Sequence, residues 1–118
     1  MTGLRTHKLH KKYKKYQRAS FRPGQCVLCD KVGAKTLKNF RHWRIVRNLF
    51  PWNRVAKIQH LIIPKRHAMY PRLNNQERKE LEKIKLDYLN NQYDVLAEAT
   101  PRIQSVPEHF HLHLIVLK

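Results

Sequence analysis

Three histidines at every second position, in His109-Phe110-His111-Leu112-His113-Leu114-Ile115-Val116, constrain this chain more than any other feature. Imidazole alternating with Phe and Leu, then an apolar run, is the period of a strand with one apolar face. Successive strand residues point to opposite faces, so His109, His111 and His113 are expected to project from one face of one strand. A row of three imidazoles can hold a metal, bind phosphate or include a nucleophile. A polar solvent face, or a tract that chelates metal by accident, is the plainer alternative.

A chain of 118 residues suffices for one domain with a modest core. Lys+Arg 25 against Asp+Glu 8 leaves a net charge of +17, which argues for polyanionic partners: nucleotides, nucleic acid or an anionic membrane surface. No apolar run is long enough to span a bilayer, and the basic N-terminus lacks the apolar core of a secretory signal. The expectation is a soluble, cytoplasmic protein without a membrane partner. Cys26 and Cys29, spaced Cys-x-x-Cys, fit a metal chelate or a redox pair better than a disulfide framework. The redox reading wants a βαβ setting that the sequence does not offer. A tetrahedral zinc site needs two further ligands and there is no third cysteine, so those ligands would be histidines.

Residues 1–22 carry Arg5, Lys8, Lys11, Lys12, Lys14, Lys15, Arg18 and Arg22 and no acid. Leu9, Tyr13 and Tyr16 share helical spacing, so a short helix with one sticky face is possible. It is either a nucleic-acid-binding arm with tyrosines for stacking, or a solvated basic helix docked by its Leu/Tyr face. Trp43 to Arg47 reads as a strand and Asn48-Leu49-Phe50-Pro51-Trp52-Asn53 as the turn after it. Arg54 to Ile63 reads as a buried strand that Pro64 ends, and Pro64-Lys65-Arg66-His67 follows in the loop beyond it. The spacing predicts a helix over 75–90, with Asn74 as N-cap, Glu77 three positions on, and Leu81, Ile84, Tyr88 and Leu89 as a core stripe. Tyr93 to Ala99 is compatible with a helix end or a strand.

Strand, Asn-Leu-Phe-Pro turn, strand, Pro-Lys-Arg-His, helix and His-Phe-His-Leu-His-Leu-Ile, in that order, resemble the histidine-triad (HIT) nucleotide hydrolases and transferases over roughly residues 26–117. The resemblance implies an α+β fold, with a bent antiparallel sheet of about five strands and one main helix. The HIT-like domain would span 23–118, preceded by the basic arm 1–22, and would form a homodimer. It implies that His111 attacks the α-phosphorus of a nucleotide to form a nucleotidyl-histidine, with His113 supporting the phosphate and His109 completing the catalytic set. The third histidine is typically glutamine in the transferase branch, so His113 favours hydrolysis over transfer. Gln104, Ser105 and Asn48 are the candidate substrate contacts, although Ile103 stands where many members have glycine. The uridylyltransferase branch further implies a structural Zn2+ on Cys26, Cys29, His67 and His109, with His42 and His60 as substitute ligands. The alternative there is two free thiols, with His109 on phosphate. A reading of a different class is a zinc-stabilised nucleic-acid-binding module that uses the arm.

Overall fold

In the computed structural model, described for residues 3–20, 26, 28–29, 35–100, 102 and 108–118, five strands form one antiparallel sheet in the order β1-β2-β3-β5-β4. The elements are α1 (His7–Ser20), β1 (Thr36–Asn39), β2 (Trp43–Arg47), β3 (Ala56–Pro64), α2 (Asn75–Ile84), β4 (Val95–Ala97) and β5 (Leu112–Leu117). This is the α+β architecture expected from the sequence, with α1 as a second helix. Within Tyr93 to Ala99 the strand is Val95–Ala97, because β4 pairs with β5 through Val95↔Ile115 and Ala97↔His113. β1 has no counterpart in the sequence reading; its Thr-Leu-Lys-Asn carries no apolar alternation and lies mostly exposed at the sheet edge.

Registers fix which residues share a face. Ile45 pairs with Ile62 and Ile62 with Leu112, while Val46 pairs with Leu61 and Leu61 with His113. The first row belongs to the main core, where Trp43, Ile45, Ile62, Phe110, Leu112 and Leu114 pack with Leu81, Ile84 and Leu89. That is the apolar stripe read at helical spacing, with Tyr88 packed at its margin. The second row lies on the opposite face, where Val46, Leu61 and Ile63 cluster with Leu28. The strand alternation thus puts Phe110, Leu112 and Leu114 under the helix and the imidazoles on the far side.

The paired part of β5 starts only at Leu112, so of the three histidines only His113 lies in the ladder. Before it, the Phe110 N–H donates to Ala68 O at 2.8 Å instead of to a strand neighbour. The helix expected over 75–90 runs from Asn75 to Ile84, continues as π-helical turns over Lys85–Leu89, and closes with a last turn at Asn90–Gln92.

The start of α2 is tied to the loop that carries His67. Asn74 Oδ1 accepts from the Glu77 N–H and Glu77 Oε1 accepts from the Asn74 N–H, both at 2.8 Å, a reciprocal cap. The buried Glu77 carboxylate also receives Arg66 through Nη2 at 2.7 Å and Nε at 3.2 Å. Its carbonyl accepts from the Trp43 indole N–H at 2.9 Å. The Arg66 hydrogen bond holds the Glu77 carboxyl below the usual carboxylate range. A depressed native pKa means stability that is present above the ordinary Glu range, about 4.3, and is lost as pH falls through the native value. Thermal melting of the wild type should therefore drop on acidification below about pH 4. Glu77→Gln should melt lower at pH 7 and lose part of that acid dependence; an unchanged slope would remove Glu77 as its source.

Candidate functional site

His109 is 1% exposed and both of its ring nitrogens are engaged. Nε2 lies 3.0 Å from Pro64 O; a carbonyl only accepts, so this nitrogen carries the proton. Nδ1 is then a lone pair, and it faces the thiols of Cys26 at 3.4 Å and Cys29 at 3.3 Å. His67 Nδ1 lies 3.0 Å from Cys29 Sγ. The ligand atoms of Cys26, Cys29, His67 and His109 all fall within 4.8 Å of one another, so these four could hold a metal ion. Zn–S of about 2.3 Å and Zn–N of about 2.0–2.1 Å in a tetrahedron require ligand separations of this size. The Nε2–H bond to Pro64 O is the outer contact that a ligating histidine needs to fix its tautomer. His42 and His60 do not join the group: His60 Nδ1 bonds the Tyr93 hydroxyl at 2.6 Å, and the His42 backbone N–H donates to Glu80 at 2.7 Å.

The carbonyl of His109 orients the next histidine. His111 Nδ1–H donates to His109 O at 3.0 Å, so Nε2 keeps its lone pair. Burial lowers the His111 pKa from its ordinary value, so the ring is neutral at physiological pH.

His113 is held in the opposite tautomer. The Gln59 side-chain carbonyl accepts from the Trp52 backbone N–H at 2.6 Å, which leaves the amide –NH2 to donate to His113 Nδ1 at 2.8 Å. With Nδ1 an acceptor, the His113 proton sits on Nε2. The Trp52 ring lies tilted over the imidazole, centroids 4.1 Å apart. Burial, then the neighbouring His111 and Arg5, push His113 down to about 3. Two neutral rings, 5.2 Å apart and edge to face, thus offer unlike groups: a lone pair on His111 Nε2 and a donor on His113 Nε2.

Asn48 continues the β2–β3 pairing, its N–H 3.4 Å from Gln59 O, on the alternation that carries Val46. Its Oδ1 accepts from the Phe50 N–H at 3.0 Å. Gln104 and Ser105 lie outside the described residues. Gln59 is a site residue that the sequence analysis does not single out. A glutamine inside the apolar run of β3, 3% exposed, was the available signal, since buried amides need partners. Trp52 and Arg5 left no comparable trace, because their places depend on how the 50–54 turn folds back.

Arg5 Nε donates to Phe50 O at 2.7 Å, and its guanidinium lies 4.3 Å from the Tyr13 ring centroid. The Thr6 N–H donates to Asn53 Oδ1 at 2.9 Å while Asn53 Nδ2 donates to Thr6 Oγ1 at 3.3 Å, and the Arg54 N–H donates to Leu4 O at 3.0 Å. Tyr13 and Tyr16 pack on Phe50 at 5.4 and 5.2 Å between ring centroids. The basic helix is docked through its tyrosine face.

No protein-family model and no curated protein sequence matches the chain. Among solved structures it is similar to a HIT family hydrolase from Legionella pneumophila Philadelphia 1, at 22% identity and a TM-score of 0.53, over 77% of this chain and 91% of that one. It is also similar to the HIT family hydrolase Cth-393 from Clostridium thermocellum, at 20% identity and a TM-score of 0.56, over 80% and 92% of the two chains. The likeness is one of fold: the five-stranded antiparallel sheet and its helix are arranged as in these HIT proteins.

Long-range nitrogen NMR should find His113 protonated on Nε2 alone and without a titration between pH 5 and 8. In Gln59→Leu the Nδ1–H form should become populated. A wild-type His113 that titrates near 6.5, or holds its proton on Nδ1, would refute the arrangement.

Proposed function

We propose that this chain is a HIT-type nucleotide hydrolase working through a nucleotidyl-histidine on His111. The observation that carries the reading is the His111 Nδ1–H bond to His109 O, which leaves Nε2 as a fixed, unprotonated nucleophile. In the first step His111 Nε2 attacks the α-phosphorus of a nucleoside phosphoramidate, dinucleoside polyphosphate or similar ester. The N–P bond forms, the bond from phosphorus to the leaving group breaks, and its electron pair departs with that group, which takes up a proton. In the second step water attacks the same phosphorus, the N–P bond breaks, its pair returns to the imidazole, and the water's proton is released. His113 Nε2–H serves as a neutral donor to a phosphoryl oxygen, aimed before charge develops there. Asn48, half-buried on the alternation that carries Val46, is proposed as a substrate contact on this face. Gln104 and Ser105 are proposed as further phosphate contacts from the sequence pattern alone. His113 at the third position favours hydrolysis over transfer.

We assign the metal as zinc. Two thiols and two imidazoles at tetrahedral spacing are its donor set, and four protein ligands make a closed, structural site. When bound, zinc supplies a cross-link and no open coordination position. It would hold His109, whose carbonyl aims His111. We also propose a homodimer, for which exposed Leu86, Tyr70 and Met69 offer apolar surface. Among the described residues no helix is long and apolar enough to cross a membrane.

Intact-mass analysis after mixing with a panel of nucleoside phosphoramidates and dinucleoside polyphosphates should show a transient increment of one nucleotidyl group. His111→Ala should remove the adduct and reduce turnover by about 10³-fold or more with folding retained. Because the His111 pKa is lowered, the active neutral ring persists further on acidification, so the acid limb of kcat/KM should have its midpoint below the ordinary imidazole value of about 6.5. No adduct or turnover with any substrate, from folded protein, would defeat the reading. Purified protein should carry about one zinc per chain by elemental analysis, and Cys29→Ser should lose the metal and melt lower. A metal-free preparation with wild-type melting and activity would overturn the zinc assignment.

A further inference from the structure

The docking of α1 decides which side chains remain at its surface. Tyr13 and Tyr16 are spent on Phe50, and Leu4, just ahead of the helix, packs with the Trp52 cluster. Lys8, Lys11, Lys12 and Lys15 recur at i, i+3, i+4 and i+7, form one stripe along the other side, and are exposed, with exposed Lys14 beside them. Among the described residues none of the five has an ion-pair partner; the ion pairs there are Arg66–Glu77 and Lys85–Glu82. α1 has no acid in its first turn, and residues 1–22 contain none at all. Neighbouring ammonium groups at these spacings repel one another, so the helix is held by its dock and not by its own surface. A surface helix that needed only solubility would intersperse both signs of charge.

We propose that the exposed face of α1 binds nucleic acid through its phosphate backbone, with Lys8, Lys11, Lys12, Lys14 and Lys15 as the phosphate contacts. The helix has 14 residues, which at about 1.5 Å each is about 21 Å. That length spans several phosphates of a nucleic-acid strand, and is longer than a single nucleotide needs. An anionic membrane would attract the same charges, but an interfacial helix also inserts an apolar face, and the apolar side of α1 is turned into the protein. Charge along one strip without a free apolar side fits a polyphosphate backbone and not a bilayer. The contacts carry no base reading, so binding is independent of sequence and steep in salt. The inference concerns a surface separate from His111 and does not rest on the hydrolase reading.

The test is fluorescence anisotropy of the full chain with a labelled single-stranded oligodeoxynucleotide of about 15 nucleotides, over a range of salt. Replacing Lys8, Lys11, Lys12 and Lys15 together with Gln should weaken binding about tenfold or more at about 0.1 M salt. It should also flatten the slope of log affinity against log salt by about 3, at about 0.7 per lost contact. Circular dichroism checks that α1 persists, as relief of repulsion predicts. A control variant with Lys35, Lys79, Lys83 and Lys118 changed to Gln removes equal charge elsewhere and should bind nearly as wild type. His111→Ala should bind as wild type, which separates a failure here from a failure of the hydrolase reading. Equal loss in both quartets would reduce the effect to net charge and overturn the proposal. So would undiminished binding without the α1 lysines, or loss of binding to vesicles rich in anionic lipid while the oligonucleotide is still held.

Discussion

The position of one imidazole underlies everything else at this site. His109 spends Nε2–H on Pro64 O, presents Nδ1 to two thiols, and lends its carbonyl to the ring two residues on. No rotation of that ring preserves all of these contacts. Being buried, any polar group it released would face a desolvation cost of about 1–3 kcal/mol. The cluster that could hold a metal and the orientation of His111 are therefore two consequences of one constraint.

The molecule carries +17 overall, yet burial lowers the pKa of all three histidines at its centre. The two facts belong together. Cationic surface raises the local concentration of phosphate esters over distances of a Debye length, about 8–10 Å in ordinary salt. At His113 burial keeps the ring unprotonated, and the nearby Arg5 charge acts in the same direction. Attraction is left to groups outside the pocket, and the imidazoles inside stay free to act as lone pair and donor.

How much of this was legible depended on whether an element announces itself locally. The Asn74–Glu77 cap and the stripe of Leu81, Ile84 and Leu89 are local signals, and the structure follows them; of the period-two histidines it keeps only His113 in the ladder. The grouping of Cys26, Cys29, His67 and His109 was legible through the family resemblance, and the fold brings these four together. β1 was not legible, because an exposed edge strand has no face to bury and so no pattern to show. Nor were the tautomers of His111 and His113, which are alike in sequence. Their opposite tautomers come from Gln59 and Trp52 on one side and a backbone carbonyl on the other, and those partners are chosen by strand register and by the path of a turn.

Composition marks off residues 1–22 as an arm, yet hydrogen bonds across 45 and 47 residues of sequence clasp Arg5 and Thr6 to Phe50 and Asn53. Trp52, between those two anchors, gives the N–H that fixes Gln59, which in turn fixes His113. The first helix and the third histidine are therefore parts of one unit, joined through the 50–54 turn. Local opening of such a unit costs no more than the global unfolding free energy. Each opening, brief and far short of unfolding, would release His113 from its fixed tautomer and let water reach the ring. How often the site stands fully assembled is then governed in part by the opening equilibrium of a segment that composition alone would set aside as a tail.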